Sequence, residues 1–111
     1  MIDLDQILEG LIQRTGDGRL KWSPTVERNQ FVTSVDTISV VSRQIVTRGI
    51  LPTTSFRLEI FNEAGDTIEV VQSTDGGSKR TQRLEHLHTL ARRSALDVES
   101  TLEKLAKALE A

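Results

Sequence analysis

Phe56-Arg-Leu-Glu-Ile-Phe-Asn-Glu-Ala-Gly-Asp-Thr-Ile-Glu-Val-Val71 reads as a β-hairpin. Phe56, Leu58 and Ile60 alternate with Arg57 and Glu59, the two-residue period of a half-buried strand. Asn62, Gly65 and Asp66 supply turn chemistry, and Ile68 and Val70 resume the alternation around Glu69. This pattern places Arg57, Glu59 and Glu69 together on a solvated face, with Glu59 opposite Glu69. Helix-periodic segments stand on both sides of the hairpin, so the expected class is α+β with an antiparallel sheet.

Upstream of the hairpin, Phe31-Val-Thr-Ser-Val35 and the run Ile38–Thr47 are rich in β-branched residues and predict two strands joined by a tight turn at Asp36-Thr37. Residues 48–53 predict a loop, because Pro52 cannot donate to a ladder. Arg19-Leu-Lys-Trp22 is a short candidate edge strand closed by Ser23-Pro24. The sum is a meander of four to five strands. Before it, residues 3–15 predict a helix with one apolar face formed by Leu4, Ile7, Leu8, Leu11 and Ile12. Asp3 suits the N-cap, Gln6 stands in capping-box position, and Gly16 suits a left-handed C-terminal stop.

Downstream, Thr74-Asp-Gly-Gly-Ser78 marks a joint. From Lys79 to Leu109 apolar residues recur every three or four positions: Leu84, Leu87, Ala91, Ala95, Val98, Leu102, Leu105 and Leu109. One unbroken helix there would reach about 45 Å, against a radius of gyration of about 13 Å for a compact domain of this size. A break is therefore expected near Leu96-Asp97, with Asp97 as a second N-cap; an unbroken helix would protrude and favour a dimer. One or two C-terminal helices pack on one sheet face in this reading, and Leu4, Leu8, Leu11, Phe56, Leu58, Ile60, Leu87, Leu102 and Leu105 contribute to the core.

Composition narrows the possible functions. The 111 residues predict a single domain over 1–111. The chain lacks cysteine, which excludes disulfides and thiolate metal sites and suits a cytoplasmic protein. The acidic start Met1-Ile-Asp-Leu-Asp5 shows no secretory pattern, and no apolar run is long enough for a bilayer. Fourteen basic residues nearly balance sixteen acidic ones, for a net charge of −2, which argues against a dedicated duplex-DNA binder. Trp22, Phe31, Phe56 and Phe61 are the only aromatic residues, too few for a single-strand stacking platform.

The order of the pieces resembles a group of small bacterial proteins. In them an N-terminal helix precedes a Thr-x-x-Gly-x-(Leu/Ile)-x-Trp-x-Pro element and a β-meander, and the chain ends in an Ala-Arg-Arg-x-Ala-Leu helix. The matching residues are Thr15, Gly18, Leu20, Trp22 and Pro24, then Ala91-Arg-Arg-Ser-Ala-Leu96. The resemblance implies an α+β fold and no particular activity; relatives in that group commonly carry glycine where this chain has Asp97.

Candidate chemistry is sparse. His86 and His88 lie two apart, which on a helix turns them about 200° from each other and prevents joint chelation. Both are expected to be ordinary surface or boundary residues. The carboxylate pairs Asp3/Asp5, Glu59/Glu69 and Glu99/Glu103 are expected in water, where their pKa values would not be split for acid–base work. Gly76 and Gly77 open onto a helix start and could present N–H groups to an anion, with Lys79 and Arg80 adding charge; a flexible joint capped by Ser78 is the plainer reading. Lys79, Arg80, Arg83, Arg92 and Arg93 form a locally basic region that could meet phosphates, or simply complement Asp3, Asp5 and Glu9 of the first helix. Trp22 is expected either as a lid over the sheet or, with Ile50 and Leu51, as an exposed anchor for a partner.

No catalytic set, cofactor motif, metal cluster or small-molecule site emerges. The expectation is a non-catalytic protein-interaction or self-associating module, with a nucleic-acid- or anion-binding accessory domain as the alternative.

Overall fold

The computed structural model describes residues 2–73 and 78–110. The elements are α1 (Leu4–Gly16), β1 (Ser23–Pro24), β2 (Gln30–Val35), β3 (Ile38–Thr47), β4 (Thr53–Phe61), β5 (Thr67–Ser73), α2 (Lys79–Ala95) and α3 (Val98–Glu110). The strands form one antiparallel sheet in the order β1-β2-β3-β4-β5, an uninterrupted meander. The α+β expectation therefore holds. Among the described residues no helix is long and apolar enough to cross a membrane.

Local chemistry explains most boundaries. The Asp3 carboxylate accepts from the Asp5 N–H at 2.9 Å and caps α1. Gly16 is the last residue of α1 and not its left-handed stop; the left-handed position falls two residues later, at Gly18 with φ 79°, whose N–H donates to the Thr15 carbonyl. The edge ladder also starts later than expected. Pairing begins at Ser23 and Pro24, opposite Val32 and Phe31, and not in the 20–22 segment. Pro24 tolerates this because an edge strand leaves one row of donors unused.

α2 crosses the sheet and touches all five strands. Its Leu84, Leu87 and Ala91 meet Phe31, Val40, Leu58 and Val71, with Leu8, Leu11, Leu20 and Trp22 closing the cluster. Leu8, Leu58 and Leu87 are at most 1% exposed. Truncating any of them to alanine costs about 2–5 kcal/mol. Among the described residues no helix packs on the opposite sheet face.

Two expectations about packing fail. Glu59 and Glu69 do not oppose each other: Glu59 pairs with Val70, and Glu69 pairs with Ile60. An irregularity between Ile60 and Phe61 shifts the register by one residue, which exchanges the two faces of a strand. Val71 is therefore the buried residue of β5, Val70 and Ile68 stay exposed, and Glu69 lies on the helix-covered side.

The second failure concerns α3. The helix breaks where expected, but Asp97 is not in the extended conformation of an N-cap. It sits at φ 51°, left-handed, with its N–H bonded to the Ser94 carbonyl, and so closes α2 in the position where glycine is usual. Its carbonyl accepts the first α3 bond, from the Thr101 N–H. Leu102 and Leu105 then fall outside the core, 49% and 54% exposed, and α3 has no buried residue. It approaches α2 and no other element. The radius of gyration is accordingly 15.5 Å, above the roughly 13 Å of a compact chain this long.

Candidate interaction surface

α1 packs along α2, yet no Cα of α1 comes within 8 Å of a strand Cα. The gap is an open groove of about 600 Å³. Ile2, Leu4, Ile7 and Leu11 form one wall; Val35, Ile38 and Val40 of the β2–β3 hairpin and Ile60, Ile68 and Glu69 of the β4–β5 hairpin form the other. Nine of these ten residues are aliphatic, and Glu69 is the one charged member. Ile2, Ile38 and Ile68 are 79%, 39% and 56% exposed, so the rim of the groove is uncovered, whereas Leu11, Val40 and Ile60 within it are buried and continuous with the core. It exists because of the register shift in β5, which brings Ile68 and Glu69 to the rim, and because α1 leans on α2 and not on the sheet.

A second uncovered apolar surface is the stripe of Val98, Leu102, Leu105 and Leu109 on α3, spaced four, three and four residues apart. This is a single helix face. Leu109 at its end is 77% exposed.

The residues expected to anchor a partner do not converge. Trp22 is 4% exposed and cannot be an external anchor. Its indole Nε1 donates to Thr15 Oγ1 at 3.0 Å, and the Thr15 hydroxyl donates onward to the Leu11 carbonyl at 2.7 Å. Trp22 thus pins the end of α1 to the sheet edge. Ile50 and Leu51 are 101% and 83% exposed, as expected of an anchor, but they lie on the β3–β4 connection, at the opposite end of β3 from Ile38 and the groove.

The basic residues are dispersed and partly matched. Lys79 and Arg92 lie on the same helix but about 20 Å apart along its axis. Arg80 faces Asp5 at 3.4 Å, and Arg83 faces Asp5 at 3.6 Å and Glu9 at 2.8 Å. Arg93 is bonded to Glu99. The cations on the first part of α2 therefore complement α1. Gly76 and Gly77 fall outside the described residues.

His86 is exposed, but His88 is not a boundary residue: it is 3% exposed. Its Nδ1 shares a hydrogen bond of 2.9 Å with Ser42 Oγ, and its ring lies 5.3 Å from that of Phe31 and 5.6 Å from that of Phe56. Burial, with a smaller contribution from the Arg92 charge, lowers its pKa to about 4. A serine beside a neutral histidine has the makings of a nucleophile, but Ser42 is itself only 3% exposed and the two phenyl rings wall the pair. The signal for this burial is the spacing, since position 88 falls four residues after Leu84 and three before Ala91, on the apolar face of α2. Among the described residues no three His, Asp or Glu side chains converge to hold a metal ion. Of the carboxylate pairs, Asp3 caps α1, Asp5 meets arginines, and Glu59 and Glu69 are on opposite sheet faces.

Against known proteins, no family, curated protein or solved structure matches this chain.

Proposed function

We propose that the chain is a non-catalytic protein-interaction module acting through the α3 stripe and the α1 groove. The observation that carries this reading is α3 itself: a thirteen-residue amphipathic helix none of whose residues is buried. Isolated helices of that length are marginal in water, and most helical stability comes from packing an apolar face. Two uncovered aliphatic surfaces on one small chain mark interaction sites. A cytoplasmic setting fits the cysteine-free composition.

Anion binding by Lys79, Arg80, Arg83, Arg92 and Arg93 is the weaker reading, because Arg80, Arg83 and Arg93 already face carboxylates. The resemblance to small bacterial proteins adds no activity to either reading.

The test is affinity capture with tagged wild type and a Leu102→Glu/Leu105→Glu variant, each with and without nuclease. A stoichiometric protein that survives nuclease and is lost from the variant supports the reading. Equal recovery by both chains overturns it, and recovery that collapses on nuclease treatment moves the site to the basic positions of α2.

A further inference from the structure

We propose that the groove and the α3 stripe are two halves of one reciprocal contact, in which α3 of one copy lies in the groove of a second copy and the exchange is returned about a two-fold axis. This rests on the interaction reading above and names the partner.

The two surfaces match in chemistry and in length. Each is aliphatic, and each is left uncovered by its own chain. From Val98 to Leu109 the stripe runs about 16 Å, and the α1 wall from Ile2 to Leu11 would run about 14 Å at helical rise. α3 leaves α2 beside Thr15 and Gly16, at the other end of α1 from Ile2, and does not cover its own groove.

Size favours this occupant over two α3 helices paired with each other. A stable interface uses about 20–30 residues a side. Paired α3 helices would offer Val98, Leu102, Leu105, Leu109 and the flanking Ala106, about five a side, which is far too few. Reciprocal seating adds the seven groove residues that are not already buried to those five, about twelve a side before any flanking contact is counted. Arm plus groove is also a self-complementary patch, so a two-fold closes the assembly at two copies; a one-way contact would propagate.

Charge sets the direction. The stretches that form the groove, residues 2–13, 33–42 and 59–70, contain no lysine or arginine and place Asp36, Asp66 and Glu69 around its hairpin end. On α3, Lys104 lies to one side of the stripe, Glu99, Glu103 and Glu110 to the other, and Lys107 on the back of the helix. Seating the Lys104 flank toward the acidic hairpin end turns the three glutamates away from it.

The experiment uses the pure protein in light-scattering chromatography at high micromolar concentration. The expected mass is twice the 12.4 kDa of one chain. Leu102→Glu/Leu105→Glu should be monomeric. Ile38→Lys/Ile68→Lys, on the exposed groove rim, should also be monomeric, with circular dichroism and a cooperative melt showing that both variants fold. Mixing the two monomeric variants should restore a dimer, because one intact arm then meets one intact groove. A monomeric wild type overturns the proposal, and so does a groove variant that stays dimeric by itself. If the pure protein is monomeric while stripe-dependent capture persists, the second copy is excluded and the interaction reading stands; if capture also fails, both fall.

Discussion

The backbone N–H of Trp22 donates to the Ser94 hydroxyl at 2.9 Å, across 72 residues of chain. With the indole bonded to Thr15, one residue ties the end of α1, the edge of the sheet and the last turn of α2 together. Thr15, Trp22 and Ser94 come from two stretches far apart in sequence, 15–24 and 91–96, which meet in space as a structural clasp. Removing an acceptor strands a buried donor, at a cost of about 1–3 kcal/mol. Ser94→Ala and Thr15→Val should each lower urea stability by that amount. The double variant should lose less than the sum, because both acceptors restrain the same residue. Full additivity would show that the clasp is not one unit.

Trp22 is the only tryptophan, so its fluorescence reports this junction alone. Its 4% exposure predicts a blue-shifted emission and resistance to iodide quenching in the folded state, both lost on unfolding. Red-shifted, freely quenched emission from the folded protein would contradict the burial.

His88 makes stability depend on pH in a defined direction. Its folded pKa of about 4 lies below the unfolded value of 6.5, so the unfolded chain binds the extra proton between those values. The contribution of neutral His88 is complete above pH 6.5 and is lost as pH falls toward 4. Between pH 7 and pH 5 this removes about 2 kcal/mol. Urea midpoints of wild type should fall across that interval, whereas those of His88→Leu should fall less.

Asp97 holds a left-handed backbone without being glycine, at φ 51°. For a residue with a side chain that conformation costs about 1 kcal/mol. Asp97→Gly should therefore be neutral or stabilising by up to about 1 kcal/mol, and Asp97→Val destabilising by more than that. The ordering of the three melting temperatures is the check, and a valine variant as stable as wild type would rule out the left-handed turn.

The strands β2 and β3 could be read to within a residue, because β-branched runs bounded by Asp36-Thr37 and Pro52 leave few alternatives. The face assignment of β5 could not. Val70 and Val71 are adjacent and equally apolar, so alternation alone allows either to point inward, and the choice was made by an irregularity at Ile60 and Phe61 that leaves no mark in composition. α3 failed for another reason. Leu102 and Leu105 carry the same helical periodicity as Leu84 and Leu87, but periodicity shows only that a face needs cover, not that its own chain provides it. The groove has no sequence signature, since its walls come from three separate parts of the chain and from the lean of α1. Of the two readings that the sequence leaves open for Trp22, burial selects the lid over the anchor, and its two hydrogen bonds depend on partners at positions 15 and 94 that no local pattern connects.

α1 is held by α2, by the Trp22 clasp and by side chains, while its backbone stays clear of the strands. An element attached along one flank is able to open as a unit without melting the sheet. Amide exchange should then sort into three tiers, with the uncovered α3 exchanging first, the α1 amides through a partial opening of higher energy, and those at the β3–β4 centre only through global unfolding. Both elements outside the slowest tier carry an uncovered apolar surface of this protein.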